Sequence, residues 1–368
     1  MKKGLRQLLA ALAKLSDTDL EDLGISGRSK LSLPEVEELP TTSQAAIRVF
    51  QDRYLDGTQL PPDPTWASVL GEVDTSLASP FITYPMSLLS LKFKESKGEG
   101  RAETPGEQSF DLKPVEFDEG IRMPLIQIQT SAFAQRKWVR GPELLRAAEA
   151  RHVAQNIADN VIDLNPTCGW DKVALFSASH KVNPRKPKLG TFSNLQSTAT
   201  DMTDPDKITA EIAAMQAEVK DENGSRLIQS PRWGILAGPG NYQAIANLMK
   251  QDKIIKAIVE GGTTKAAAAV TNPYEGLIDT IYAPQWNGGA AEGDPPGLDT
   301  ILVDLDLVAS MMPPWLAGKY APGGSLELRV FDEASDFFKN TGDIKIENHI
   351  WWGFGAVFPH AVRYIKGS

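Results

Sequence analysis

The C-terminal stretch DIKIENHIWWGFGAVFPHAVRYIKGS puts Ile344, Ile346, Ile350, Trp352 and Phe354 on even positions. Lys345, Glu347 and His349 fall on odd ones. A period of two predicts a long strand with one buried face. Asn348 is the polar break on the apolar side, Gly353 and Gly355 allow a bend or a close backbone approach, and Pro359 removes a ladder donor. On this pattern His349 faces solvent as a strand residue, not as a ligand or a base.

Alternation also marks SLLSLKFKE (87–95) and MPLIQIQT (123–130), which predicts two strands. Between them SKGEGRAETPGEQ (96–108) is charged and has no apolar anchor, as the tip of a long hairpin would be. Such a hairpin has little core of its own and needs a neighbour. GPELLRAAEARHVAQNIADNVIDLNP (141–166) predicts the strongest helix. Pro142 sits in its first turn, Pro166 stops it, and Leu145, Val153, Ile157, Val161 and Leu164 form its stripe. A strand and a basic loop follow over 170–195. A second helix is predicted from Asp204 as cap to Gly224 just past its end, with Ile208, Ile212, Met215 and Val219 inward. RWGILAGPGN predicts a strand and turn, YQAIANLMKQDKI a short helix, and LIDTIYAPQW, DTILVDLDLVASMM and GSLELRVFDE further strands. The order suggests that the closing strands return to the long helix, leaving 205–322 as an insertion with its own core.

The first sixty residues read differently. Leu5, Leu8, Leu9, Leu12 and Leu15 make an amphipathic stripe, and LLAALA is too short a core for a secretion signal. Residues 25–65 are rich in Ser, Pro and acid, with one short helix predicted at SQAAIRVFQDRYL (43–55). Such a segment buries little by itself. The 368 residues suffice for two or three cores, and 42% hydrophobic with 23% charged residues is an ordinary globular balance. A net charge of -9 argues against tight nucleic-acid binding through a basic face, and one cysteine excludes an internal disulfide framework and fits a reducing cytoplasm. No apolar run reaches the length of a membrane span.

Candidate chemistry is sparse. AGPGN (237–241) is similar to a phosphate loop but lacks the Lys-Ser/Thr pair and the third glycine, and such a turn is far more often only a turn. Cys168, with His152 or His180 as base, could be drawn as a nucleophile of a cysteine-dependent hydrolase. A partly buried thiol is the commoner meaning of TCGW. Four His and one Cys show no metal-ligand spacing, and Asp304 and Asp306 alternate as solvent-facing strand residues would. The sequence therefore points to no catalytic residue, cofactor or metal.

One segment changes the weighing. LFSASHKVNPRKPKLGTFSNL carries Phe176, Ser177, His180, Gly190, Ser193, Asn194 and Leu195, and it resembles the major head subunit family of Mu-like phages. DLKPVEFDEGIRMPLIQIQTSAF looks like that family's strand into its long helix, Trp66 fits its pattern, and GFGAVFPHAVRYI resembles the last strand of tailed-phage capsid proteins. The resemblance spans roughly 65–368 by element order. It implies an α+β fold of the Hong Kong 97 type. Its parts would be an N-terminal arm (1–64), a link (65–84), an extended loop (85–128), a peripheral domain with spine helix (129–204), an axial domain (205–322) and closing strands (323–368).

It further implies a non-enzymatic capsid protein that self-assembles into pentamers and hexamers around packaged dsDNA, in a virion assembled in the host cytoplasm. A cellular nanocompartment shell of the same fold is the alternative. Portal, scaffold or protease and decoration proteins would be partners, DNA contact would be loose, and no membrane would be involved. Lys92, Lys94, Lys97 and Arg101 on the loop would make intersubunit contacts. In some relatives a loop lysine bonds covalently to an asparagine, for which Asn340 and Asn348 are the candidates here. At ~25 cal/mol per Å² of apolar burial, modest repeated contacts sum to a durable shell, less the cost of ordering arm and loop.

Overall fold

The computed structural model describes residues 46–48, 50–51, 70–75, 82–86 and 108–368, apart from 222–223, 228–231, 261–262, 273, 275, 292, 311 and 321–326. The amphipathic stripe at 5–15, Trp66, SLLSLKFKE, most of the hairpin tip, Lys92, Lys94, Lys97 and Arg101 lie outside these residues. The strands are β1 (Leu70–Thr75), β2 (Ile82–Met86), β3 (Gln108–Leu112), β4 (Val115–Pro124), β5 (His180–Lys181), β6 (Thr191–Phe192), β7 (Leu195–Thr200) and β8 (Trp233–Ala237). They continue with β9 (Lys253–Glu260), β10 (Thr263–Thr271), β11 (Ile278–Tyr282), β12 (Thr300–Asp304), β13 (Trp315–Tyr320), β14 (Glu327–Phe331), β15 (Asp343–Ala356) and β16 (Val362–Gly367). With the helices between them the fold is α+β. Two compact units share the chain.

The first unit comprises the described residues of Met1–Pro61, Phe117–Glu149 and Leu326–His349. Its core joins Ile47, Phe50, Ile128, Trp138, Leu145, Ile344 and Ile346. The helical residues 46–48 and 50–51, inside the predicted 43–55 helix, are held here: Trp138 Nε1 donates to Ala46 O at 3.0 Å and the Phe50 and Trp138 rings lie 5.2 Å apart. Antiparallel β14 pairs with the first half of β15, Glu327 opposite His349 and Phe331 opposite Lys345. The even positions Ile344 and Ile346 are buried as their spacing predicts.

The odd face is less wet than its charges suggest. Glu347 is buried, paired with Lys345 and with His349 at 3.4 Å. Its stem lies over Gly120 of β4, where a Cβ would come within 2.8 Å of Glu347 Cγ. His349 is accordingly half-buried and not a solvated residue. MPLIQIQT is also corrected: Leu125–Thr130 is a short helix, followed by Ala132–Val139 and Gly141–Asn156. Six residues carry too few repeats to separate the two periods, and Ile128 is buried while Ile126 is 69% exposed.

The second unit comprises the described residues of Pro62–Glu116, Ala150–Ser325 and Ile350–Ser368. Its main sheet runs β11-β8-β12-β16-β7. The β11–β8 and β16–β7 pairs are parallel, and the β8–β12 and β12–β16 pairs antiparallel. Every residue of β8 and β12 is buried, which marks a sheet covered on both faces. Alternation sorts them: Leu236, Ile301 and Val303 pack with Ala154, Ile157, Trp286 and Phe358. Trp233, Ile235 and Leu302 pack with Ile208, Met215, Ile245 and Met249. The predicted insertion with a separate core is therefore corrected, because residues 362–367 form a strand inside the sheet of the 233–304 block. In the same unit β13 pairs antiparallel with the second half of β15 and parallel with β1. Gly355 of β15 lies against Leu112 and Phe110, where a Cβ would sit 2.7 Å from each, so the close approach expected of it is real.

Three local expectations also shift. The helix Gly141–Asn156 passes into a π-helical segment, Ile157–Asp163. Leu164 N bonds to Asp159 O, five residues back, and the wider turn carries Leu164 off the stripe to 70% exposure. Asp204 caps Pro205–Glu218 as predicted, but the helix stops there, six residues before Gly224. Asp304 is fully buried; its carboxylate accepts from Asp306 N and Leu307 N as the cap of Leu305–Ala309.

Candidate functional site

The resemblance-bearing residues sit in one knot of loops in the second unit. Asn165, in the left-handed region at φ 47°, pairs with Phe176 through both side-chain atoms, accepting from its N at 2.7 Å and donating to its O at 3.0 Å. This closes the loop 166–175, whose inner bonds are Cys168 N to Val173 O at 2.7 Å and Leu175 N to Pro166 O at 2.8 Å. Inside, the Asp171 carboxylate accepts from Val173 N at 3.1 Å, Lys181 N at 2.8 Å and Cys168 Sγ at 3.1 Å, and faces His180 Nδ1 at 3.1 Å. His180 Nε2 meets Leu175 O at 2.9 Å.

The remaining motif residues fasten this loop to the chain around it. Asn194 accepts from Ser177 N at 2.8 Å and donates to Leu175 O at 2.7 Å and Pro359 O at 3.1 Å. Ser193 Oγ donates to the Leu195 carbonyl at 3.1 Å. Gly190, at φ 88°, makes a turn that a side chain would strain, and its carbonyl accepts from Val182 N at 3.1 Å. The Phe176 ring lies 5.0 Å from Tyr364. The structure thus brings Phe176, Ser177, His180, Gly190, Ser193 and Asn194 together as a fastening.

Its electrostatics are those of a closed interior. Burial, then the nearby Asp171 carboxylate, push the Cys168 thiol up to about 12. Burial alone would raise the Asp171 carboxyl; bonds from His180, Cys168 and Lys181 N outweigh it and hold it well below the usual range. His360 is fully buried between Trp170 and Phe192, neither ring nitrogen has a hydrogen-bond partner, and burial holds it down to about 3. A thiol with no exposed surface, donating to a carboxylate, is not a nucleophile at neutral pH. His152, drawn as its possible base, instead meets Asn156 and the Phe354 ring. The hydrolase arrangement finds no support here.

Two other features bear on function. The strands β2 and β3 form an antiparallel ladder from Ile82↔Leu112 to Met86↔Gln108, and β9 and β10 form another. Among the described residues each pair is a two-stranded sheet that hydrogen-bonds to no further strand. In the first unit Ile126, Phe133 and Leu144, from three consecutive helices, are 69%, 67% and 58% exposed. Asn340 is exposed, whereas Asn348 is buried with Oδ1 unpartnered. Among the described residues no helix is long and apolar enough to cross a membrane.

No family profile and no curated protein matches the chain. Similar solved structures are capsids. The asymmetric unit of the bacteriophage PhiM1 mature capsid is 10% identical at TM-score 0.45, covering 84% of this chain and 89% of that one. The procapsid of bacteriophage JBD30 is 12% identical at 0.45, covering 90% and 77%. The capsid of the native GTA particle is 11% identical at 0.46, covering 84% and 91%. Likenesses of this size are too slight to carry a role from those structures to this chain.

Proposed function

We propose that this chain is the major capsid protein of a tailed phage, a shell subunit that assembles with copies of itself. The observation that supports it most is the β2–β3 ladder. Five residue pairs close a finger between Ile82–Met86 and Gln108–Leu112, and among the described residues no other strand joins it. Its base is held by Leu112 and Phe110 on the unit's own core, while a two-stranded sheet is marginal over the rest of its length, where a neighbouring copy would add cover. The exposed Ile126, Phe133 and Leu144 add apolar surface that sister molecules would bury.

In this reading residues 1–64 are an arm, the finger is the extended loop, and Lys92, Lys94, Lys97 and Arg101 lie on it as intersubunit contacts. The sheet containing β8 and β12 belongs to the axial part. Pentamers and hexamers close an icosahedral shell around dsDNA held loosely, the net charge of -9 giving the wall no grip on it. Portal, scaffold or protease and decoration proteins complete a virion built in the host cytoplasm, and the protein performs no catalysis.

Electron microscopy of the purified full-length protein tests the reading. Closed particles or capsomer rings are expected, and deletion of 96–107 abolishes them while leaving the circular dichroism of a folded subunit. A protein that stays monomeric at high concentration, or a deletion variant that still closes shells, overturns it. Particles filled with a protein cargo in place of nucleic acid would indicate the nanocompartment.

A further inference from the structure

The knot around Asp171 has a second chemical property, independent of assembly. Cys168 Sγ, the Asp171 carboxylate and His180 Nδ1 lie within 4.8 Å of one another. All three residues are buried. They come from one short segment with the spacing Cys-x2-Asp-x8-His. We propose that these three side chains form a binding site for a single zinc-type dication, held through thiolate sulfur, carboxylate oxygen and imidazole Nδ1.

Three observations carry it. The first is donor geometry. A tetrahedral zinc site, with bonds of about 2.0–2.3 Å, sets its ligand atoms roughly 3.3–3.7 Å apart. Here Sγ lies 3.1 Å and Nδ1 3.3 Å from the same oxygen, Oδ1, and all three donor atoms lie within 4.8 Å of one another, so a small shift of the side chains admits the ion. The second is support behind each ligand. His180 Nε2 rests on Leu175 O at 2.9 Å, the carbonyl partner that metal-bound imidazoles commonly have on their other nitrogen. Val173 N and Lys181 N aim the carboxylate, and Cys168 N is fixed on Val173 O.

The third is donor type. The Cys168 S–H points at the same carboxylate, so the thiol would give its proton up to an entering dication. Sulfur and imidazole donors select zinc-like ions over magnesium or calcium. Three protein ligands leave one coordination position to a solvent molecule.

The test uses the full-length protein, treated with a chelator, dialysed, and titrated with Co²⁺ and then Zn²⁺. The expected result is one cobalt per chain with a thiolate-to-cobalt charge-transfer band in the near ultraviolet. Zinc abolishes the band, and Tm rises. Cys168→Ser loses the band. Should that variant fail to fold, the wild-type titration still decides. Substoichiometric binding, or one cobalt per chain without the thiolate band, overturns the site. Shell closure by the wild-type protein is scored separately by microscopy, so loss of this site and loss of the capsid reading are distinguishable.

Discussion

The sheet holding β8 and β12 and the hairpin β9–β10 are built from similarly apolar sequence and stand in opposite conditions. Both faces of the sheet are covered by side chains from helices and loops spread over 154–365, and β8 and β12 expose nothing. The hairpin, only 15 residues after β8, forms its ladder from Lys253↔Thr271 to Glu260↔Thr263 and hydrogen-bonds to no other strand among the described residues. The first is stable by what the chain folds over it. The second joins no sheet among the described residues, and a neighbouring copy would extend its cover if the proposed shell forms. One polypeptide thus holds a sheet covered on both faces beside a two-stranded ladder that joins no other strand among the described residues.

Perturbations should separate the two conditions, the largest first. Trp286→Ala, removing a fully buried ring whose Nε1 donates to Asp163 at 2.9 Å, is expected to cost about 3–5 kcal/mol in the denaturant midpoint. Asp171→Ala strands His180 and three donors in the interior, and a loss of roughly 3 kcal/mol is expected from the same measurement in metal-free protein.

His360 gives a pH signature. Its ordinary value is 6.5 and the fold holds it to about 3, so between these values the unfolded chain takes up a proton that the folded one refuses. Stability is whole above pH 6.5 and falls on acidification at up to about 1.4 kcal/mol per pH unit. Urea midpoints at pH 7, 6 and 5 should show this, and His360→Phe should flatten the slope. Ala267→Pro, at a ladder position opposite Ala257, should cost the isolated subunit less than about 1 kcal/mol if the hairpin opens without the sheet. Amide exchange should agree: amides of 253–271 exchange far sooner than those of β8 and β12. Ile126→Ser should change subunit stability by less than about 0.5 kcal/mol while weakening particle formation.

Sequence periodicity was most legible where the pattern was long. The even positions of β15 and the caps and stripes of the longer helices could be read because several repeats agreed. It failed where a short segment could serve either period, as at Leu125–Thr130, and where a local device displaced the pattern, as the π-helical turn does before Leu164. Asp304 alternates like a strand residue, yet it is buried because a helix begins immediately after it and needs a cap. The hairpin β9–β10 went unseen because TTKAAAAVT does not alternate, and its β-branched residues stand at the two ends of a run of four alanines. Cys168 and His180 were candidates from the start, but Asp171 was not. Nothing in WDK signals a carboxylate that folding will place between a thiol and an imidazole, and only the loop closed by Asn165 brings the three together.

The position of β16 has a consequence for synthesis. It lies between β12 and β7, yet it is translated about 60 residues after the former and 160 after the latter. Until it emerges, β12 and β7 each present an open ladder edge to a crowded cytosol, and Asn194 waits for a carbonyl 165 residues downstream. A nascent chain paused in that interval is a target for holdase chaperones and for mispairing with its polysome neighbours. A ribosome-stalled product ending before 362 should therefore be protease-sensitive and chaperone-bound.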